Sequence, residues 1–250
     1  MRGSFYEVYT LMSKIPAAFT QEAKKRVYGR RLGRPMGESR QAVIDTLLPQ
    51  LTLDAASLTE DGTLDPVTLF KAERDIVLEI GFGNGEHTKM MLEQRPERNY
   101  IGVEPFINGM SMFLKSIKDM AHDNIRVWMD DAVMLCRSMK SDSLSAIYIL
   151  NPDPWPKKKH NKRRIVRAET LKEYFRILKP GGDFIMATDV DELSEWMVTE
   201  TMNHGGFEWQ ATCEKDWRTM PEGWFVTTRY AAKGADAGRR QSYLLFKKKA

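Results

Sequence analysis

The chain has 250 residues, of which 42% are hydrophobic and 10% aromatic. That is enough to fill a sizeable core, in one α/β domain with an extension or in two small domains. Its formal charge of +4 is modest but unevenly placed: the local net is +5 over residues 1–50, +8 over 157–179 and +6 over 229–249, so the middle is acidic. Such an asymmetry suits a polyanionic partner beside a neutral or cationic small ligand. No signal-peptide pattern and no 18-residue apolar run occur, so no membrane insertion is expected. Cys136 and Cys213 have neither metal-ligand nor disulfide spacing, which points to reduced cysteines, a cytoplasmic setting and no metal site.

Residues 1 to about 40 lack sustained periodicity. The basic, glycine-punctuated runs Lys24-Lys25-Arg26 and Gly29 to Pro35 read as an arm that folds on RNA. Gln41 to Leu51 is a short amphipathic helix, with Val43, Leu47 and Leu48 on one face. The arm and this helix, residues 1–55, are expected to precede a catalytic domain over 56–250. Asp54 to Arg74 is polar, contains Gly62 and Pro66, and reads as the link between them.

From Ile76 onward strands and helices alternate. Strands are expected at Ile76–Ile80, Tyr100–Val103, Ile125–Met129, Leu144–Leu150 and Asp183–Ala187. Helices are expected at Glu86–Glu93, Ile107–Met120, Ala132–Arg137, Arg164–Leu178 and Asp191–Asn203. Phe207–Cys213 and Ser242–Phe246 supply two last strands. The alternation predicts a mostly parallel seven-stranded sheet with helices on both faces, its ligands at the carboxyl ends of the strands. Glu104, Asp131, Asp153 and Asp189 fall at such ends, and Glu79 lies inside the first strand. A single strand-end acid is ordinary turn chemistry; a series at successive ends points to one pocket.

Gly81, Gly83 and Gly85 permit a tight turn and close approach of a ligand to the backbone. Their G-x-G-x-G spacing, flanked by Glu79 and Glu86, suits a cofactor with an ammonium and a sulfonium better than a dinucleotide pyrophosphate. S-adenosylmethionine has that character. Glu104, nineteen residues after Gly85, is placed to accept two ribose hydroxyls, and Asp131 to accept from the adenine amino group. The stretch Asn151-Pro-Asp-Pro-Trp-Pro-Lys-Lys-Lys-His-Asn-Lys-Arg-Arg164 then sets a proline-held acid, Asp153, and a stacking surface, Trp155, at the fourth strand's end. The cations Lys157 to Arg164, with a protonatable His160, are expected to hold phosphates.

These residues match a family. Leu78 to Gly85, Gly102-Val-Glu104, Pro152-Asp-Pro-Trp155 with Lys157, His160-Asn-Lys-Arg-Arg164, Leu178-Lys-Pro-Gly-Gly182, Ala187-Thr-Asp189 and Thr228-Arg-Tyr230 occur in the order and spacing of bacterial tRNA (guanine-N(7)-)-methyltransferase. The chain resembles that single-subunit family of Rossmann-like class I methyltransferases over roughly residues 40 to 248. The resemblance implies methylation of a variable-loop guanine, position 46 of tRNA, by a monomer or homodimer. Carried over by position, Glu79, Glu104, Asp131 and Asp153 are the cofactor-pocket acids, and Asp153 is also catalytic. Lys157, Asp189, Thr228, Arg229 and Tyr230 are the substrate contacts. The family commonly has Glu where this chain has Ala231, so Asp189 or another acid must serve guanine here. The rival readings are a methyltransferase of the same fold acting on another RNA and an RNA-binding relative without catalysis; the four cofactor acids, all present, oppose the second.

Overall fold

A computed structural model describes residue 28 and residues 31–221 and 229–250. The part of the basic arm formed by residues 1–27, 29 and 30, and position 228, lie outside the described residues. The alternating pattern forms the sheet expected of it. Strands β1 (Ile76–Ile80), β2 (Asn99–Val103), β3 (Ile125–Trp128), β4 (Leu144–Leu150), β5 (Leu178–Thr188), β6 (Phe207–Trp209) and β7 (Ser242–Lys248) align in the order β3-β2-β1-β4-β5-β7-β6. The first five are parallel; β7 runs antiparallel to both β5 and β6. The chain winds outward from β1 in one direction through β2 and β3, and in the other through β4 and β5. The crevice at the carboxyl ends of β1 and β4 is therefore the topological switch point, where sheets of this type hold ligands.

The helices are α1 (Glu38–Thr46), α2 (Leu48–Leu51), α3 (Glu86–Gln94), α4 (Ile107–Ile117), α5 (Ala132–Ser138), α6 (Ala168–Ile177), α7 (Asp191–His204), α8 (Glu214–Arg218) and α9 (Arg229–Asp236). Strand pleating divides the interior into two cores. Ile76, Leu78 and Ile80 of β1 join Leu144, Ile147 and Ile149 of β4 on the face covered by α5, α6 and α7. Val77, with Ala146, Tyr148 and Leu150, faces the opposite layer, which contains Met110, Phe113 and Leu114 of α4 and Val43, Ile44 and Leu47 from the N-terminal helices. Period two also sends Glu79 to the second face, beneath α3.

Three elements differ from expectation. The polar stretch 54–74 is not a loose link. Asp54 and Asp65 cap two 3-10 turns, Ala55–Ser57 and Pro66–Leu69, and Leu58 and Phe70 enter the first core. The helix expected from Arg164 begins at Ala168, because residues 158–163 form a 3-10 turn and Arg164 is extended. Strand β5 begins at Leu178, ahead of the expected Asp183, with a register shift between Leu144 and Ala146 of its partner β4. Helices α8 and α9, five and eight residues long, were not among the expected elements.

Leu58 tests whether residues 54–74 belong to the folded unit, since it is fully buried. Leu58→Ala is expected to lower unfolding free energy by about 2–5 kcal/mol. Chemical denaturation of the variant checks this; a midpoint equal to wild type would mean that the segment adds nothing to the core.

Candidate active site

The glycine turn is built against the end of β2. After Ile80 the backbone enters the left-handed region at Gly81 (φ 74°), Gly83 (φ 61°) and Gly85 (φ 76°). A Cβ on Gly85 would collide with the Phe113 ring, and one on Gly109 would meet the Gly83 carbonyl. Turn and helix α4 therefore touch backbone to side chain, with no room for larger residues. The Gly81 N–H donates to the Val103 carbonyl at 2.7 Å. The Gly83 N–H donates to Glu104 Oε2 at 2.7 Å, and the Phe106 N–H to Oε1 at 2.9 Å. Burial pushes the Glu104 carboxyl up to about 7 against the pull of those two N–H groups, and the charges of Asp153 and Glu79 push it further the same way. Asp153 and Glu79 thus lie within electrostatic reach of Glu104.

Glu79 is 5% exposed. Its Oε2 accepts from the Thr88 hydroxyl at 2.7 Å and lies 2.9 Å from His87 Nδ1, both on α3. Asp131 ends the third strand region and caps α5, its Oδ1 accepting from the Val133 N–H at 2.8 Å. The neighbouring Asp130 is the more buried of the two. It pairs with Arg31 and accepts from the Asp131 N–H. Arg31 also lends its carbonyl to the Ile107 N–H at 3.1 Å. The described end of the basic arm therefore reaches the carboxyl edge of β2 and β3, a placement its sequence did not disclose.

Asp153 stands on a loop that leaves β4 with two non-glycine residues in the left-handed region, Asn151 (φ 49°) and Trp155 (φ 44°). The Asn151 N–H donates to the Ala187 carbonyl at 2.7 Å, and Gln241 Nε2 donates to Asn151 Oδ1 at 2.9 Å. Asp153 is exposed as a residue, yet the atoms crowding its carboxyl raise its pKa by desolvation.

The cationic run does not act as one phosphate surface. Arg164 is 2% exposed and points inward. The Arg163 guanidinium lies 4.9 Å from the Trp155 ring centroid and 5.1 Å from that of Tyr28. His160 meets the Trp155 ring edge-on at 5.8 Å; desolvation first, then the charges of Arg163 and three lysines, push its pKa down, so it is not a further cation at neutral pH. Lys157, Lys158, Lys159 and Lys162 are exposed. Trp155 is neither core nor bare platform, since a cation already lies against it.

Asp189, at the end of β5, accepts from Arg239 Nε at 2.8 Å. Gly234 of α9 packs so closely on it that a Cβ there would strike the carboxylate. Arg229 and Tyr230 open α9, so the helix beginning with two of the expected substrate residues covers the expected substrate acid. Thr228 lies outside the described residues. Other tail cations are spent within the fold: Lys247 pairs with Asp183 and Lys248 with Asp142. A polar depression at the amino ends of the strands is lined by Asp65, Asp75, Lys140 and Lys179. Those residues form two ion pairs of their own, Lys140–Asp65 and Lys179–Asp75, far from the strand-end acids.

Several contributors escaped sequence reasoning: His87 and Thr88 behind Glu79, Gln241 behind Asn151, and Arg164 turned inward. None carries a spacing signal. Arg164 alone had a visible mark, since the apolar pair Ile165-Val166 follows it directly.

Residues 73–244 match the family model described as "Putative methyltransferase". The tRNA (guanine-N(7)-)-methyltransferase of Agrobacterium fabrum is 42% identical over 232 residues, covering 91% of this chain and 98% of its own. That of Rhodospirillum rubrum is 39% identical over 236 residues, covering 94% of this chain and 91% of its own. Among solved structures, the 16S rRNA methyltransferase KamB superposes with a TM-score of 0.53 over 70% of this chain and 88% of its own, at 16% identity, which speaks for the fold alone. With a seven-stranded methyltransferase sheet and relatives of this identity along nearly its whole length, the chain belongs to the tRNA (guanine-N(7)-)-methyltransferase family.

Proposed function

We propose that the chain transfers the methyl group of S-adenosylmethionine to the N7 atom of a guanine in tRNA, at position 46 of the variable loop. The observation that carries this reading is Glu104 bonded to the Gly83 N–H of the glycine turn, with Glu79 and Asp153 near enough for their charges to act on it and Lys157, Lys158, Lys159 and Lys162 exposed on the loop that follows β4. The residues fit the cofactor. Gly83 and Gly85 keep the turn free of side chains, and each Glu104 oxygen that takes one backbone N–H has a second lone pair for a ribose hydroxyl. Asp131, with one oxygen on the Val133 N–H, retains acceptor capacity for an adenine amino group. Glu79, fixed from α3, adds negative charge that favours an ammonium.

The bound cofactor supplies an electrophilic methyl group on a sulfonium. Guanine N7 carries a free lone pair and no proton, so the transfer needs neither a general base nor a Lewis acid; it is a problem of alignment. Positive charge develops on the guanine ring as the methyl arrives. Asp153 holds a carboxylate where that charge appears, and the partial burial that raises its pKa also strengthens its field. Asp189 accepts from the guanine N–H groups, in exchange for or alongside the Arg239 contact. It thereby serves the role that Ala231 cannot. Lys157 meets backbone phosphate, and Thr228, Arg229 and Tyr230 are further substrate contacts. The polyanionic partner is tRNA and the active unit a monomer or homodimer. Among the described residues no helix is long and apolar enough to cross a membrane.

Asp153→Ala is expected to bind the cofactor within about tenfold of wild type and to lose most methyl transfer, as a transition-state role requires. Calorimetry beside a labelled-methyl assay measures both, and undiminished turnover would remove Asp153 from the mechanism. Position choice is tested with unmodified tRNA in which guanosine 46 is replaced. Incorporation should vanish, and unchanged incorporation would refute the site assignment.

A further inference from the structure

Resting on that reading, we propose that Arg164 is a positioning residue for the transfer: it grips the Asp153 loop from beneath through two carbonyls and fixes where the carboxylate stands. Its place in the cationic run suggests a phosphate contact, but its surroundings do not. The side chain is 2% exposed. Nε donates to the Pro154 carbonyl at 3.0 Å, and Nη2 reaches the Trp155 carbonyl at 3.4 Å and Glu192 Oε1 at 2.7 Å. The guanidinium lies 4.8 Å from the Trp196 ring centroid, and Trp196 is itself held by its Nε1–H on the Val166 carbonyl at 2.8 Å.

The loop needs such a donor. Pro152, Pro154 and Pro156 have no N–H, so the segment is poor in donors and cannot pair along its length as a strand. Its conformation is also costly locally: Trp155 sits at φ 44°, a left-handed region that side-chain-bearing residues rarely adopt. Restraint must come from outside. At the entrance Asn151 is tied to Ala187 and Gln241. At the exit Arg164 is the tie. Glu192 and Trp196 both belong to α7, which starts two residues after Asp189. One guanidinium therefore joins the loop of the catalytic acid to the helix that follows the guanine-side acid. The arrangement requires arginine, since only a planar fork bonds a carbonyl pair and a carboxylate while stacking on an indole.

The test separates positioning from phosphate binding. Arg164→Lys keeps the charge and loses the fork. It is expected to hold tRNA within about threefold of wild type with an unchanged salt slope. Its kcat at saturating tRNA and cofactor should fall about 10- to 100-fold, the scale of a small misplacement. Glu192→Gln alters the exposed end of the bracket and should fold normally. Its kcat is expected to fall about two- to fivefold, as for loss of a solvent-exposed pair. Retained kcat in both variants, or tRNA affinity lost with a shallower salt slope in Arg164→Lys, overturns the proposal. If Arg164→Lys does not fold, as judged by melting and circular dichroism, unchanged kcat in Glu192→Gln overturns it alone. Failure of the functional reading is a different result: wild-type enzyme would then yield no 7-methylguanosine in tRNA.

Discussion

The carboxylate of Glu104 ties the glycine turn after β1 to the start of α4. One oxygen takes the Gly83 N–H of the turn after β1, and the other takes the Phe106 N–H at the start of α4. Burying an acid is unfavourable, and here its pKa rises to about 7. Two well-aligned N–H donors offset part of that cost and in return lock the turn to the strand end. The tight packing of Gly85 on Phe113 and of Gly109 on the Gly83 carbonyl follows from this closure. So does the shape of the crevice beside β1, where the other acids converge.

The sheet delivers those acids by simple geometry. Parallel strands end on one edge, so residues far apart in sequence arrive side by side, and alternation along β1 turns Glu79 toward α3. Asp153 and Asp189 follow adjacent strands, whose ends are stitched by the Asn151–Ala187 hydrogen bond. Charge is sorted in the same way. Acids gather at the crevice, while the lysines around the 3-10 turn stay exposed beyond it. On the proposed reading, the methyl donor and the nucleic-acid backbone would meet opposite fields there.

The positions of the strands and of their terminal acids were legible because they depend on hydrophobic period and on turn residues, both local properties. Glu104 was readable as a strand-end acid; that its oxygens would be bracketed by Gly83 and Phe106 was not, since nothing in a sequence gives the rotamer. The cationic run misled for a related reason. Six basic residues look alike in a row, and only the packing of Trp155 and Trp196 decides that Arg163 lies on one ring and Arg164 under another. The stretch 54–74 looked like a link because polar residues outnumber apolar ones. Leu58, Phe70 and Ala55 are buried in the first core, with Leu64, Val67 and Leu69 packed against it, and together they seat the segment.

Ionised Glu104 is proposed as a seat for two hydroxyl donors of the cofactor. Burial first, then the charges of Asp153 and Glu79, push its carboxyl up to about 7. Because its pKa is raised, the accepting form is scarce at pH 6 and predominates at pH 8. Titration calorimetry of S-adenosylhomocysteine at these two pH values is the most direct measurement. The account predicts binding about tenfold tighter at pH 8 for wild type, with most of that dependence lost in Glu104→Gln. Equal affinity at both pH values, or the same dependence in the variant, would contradict it.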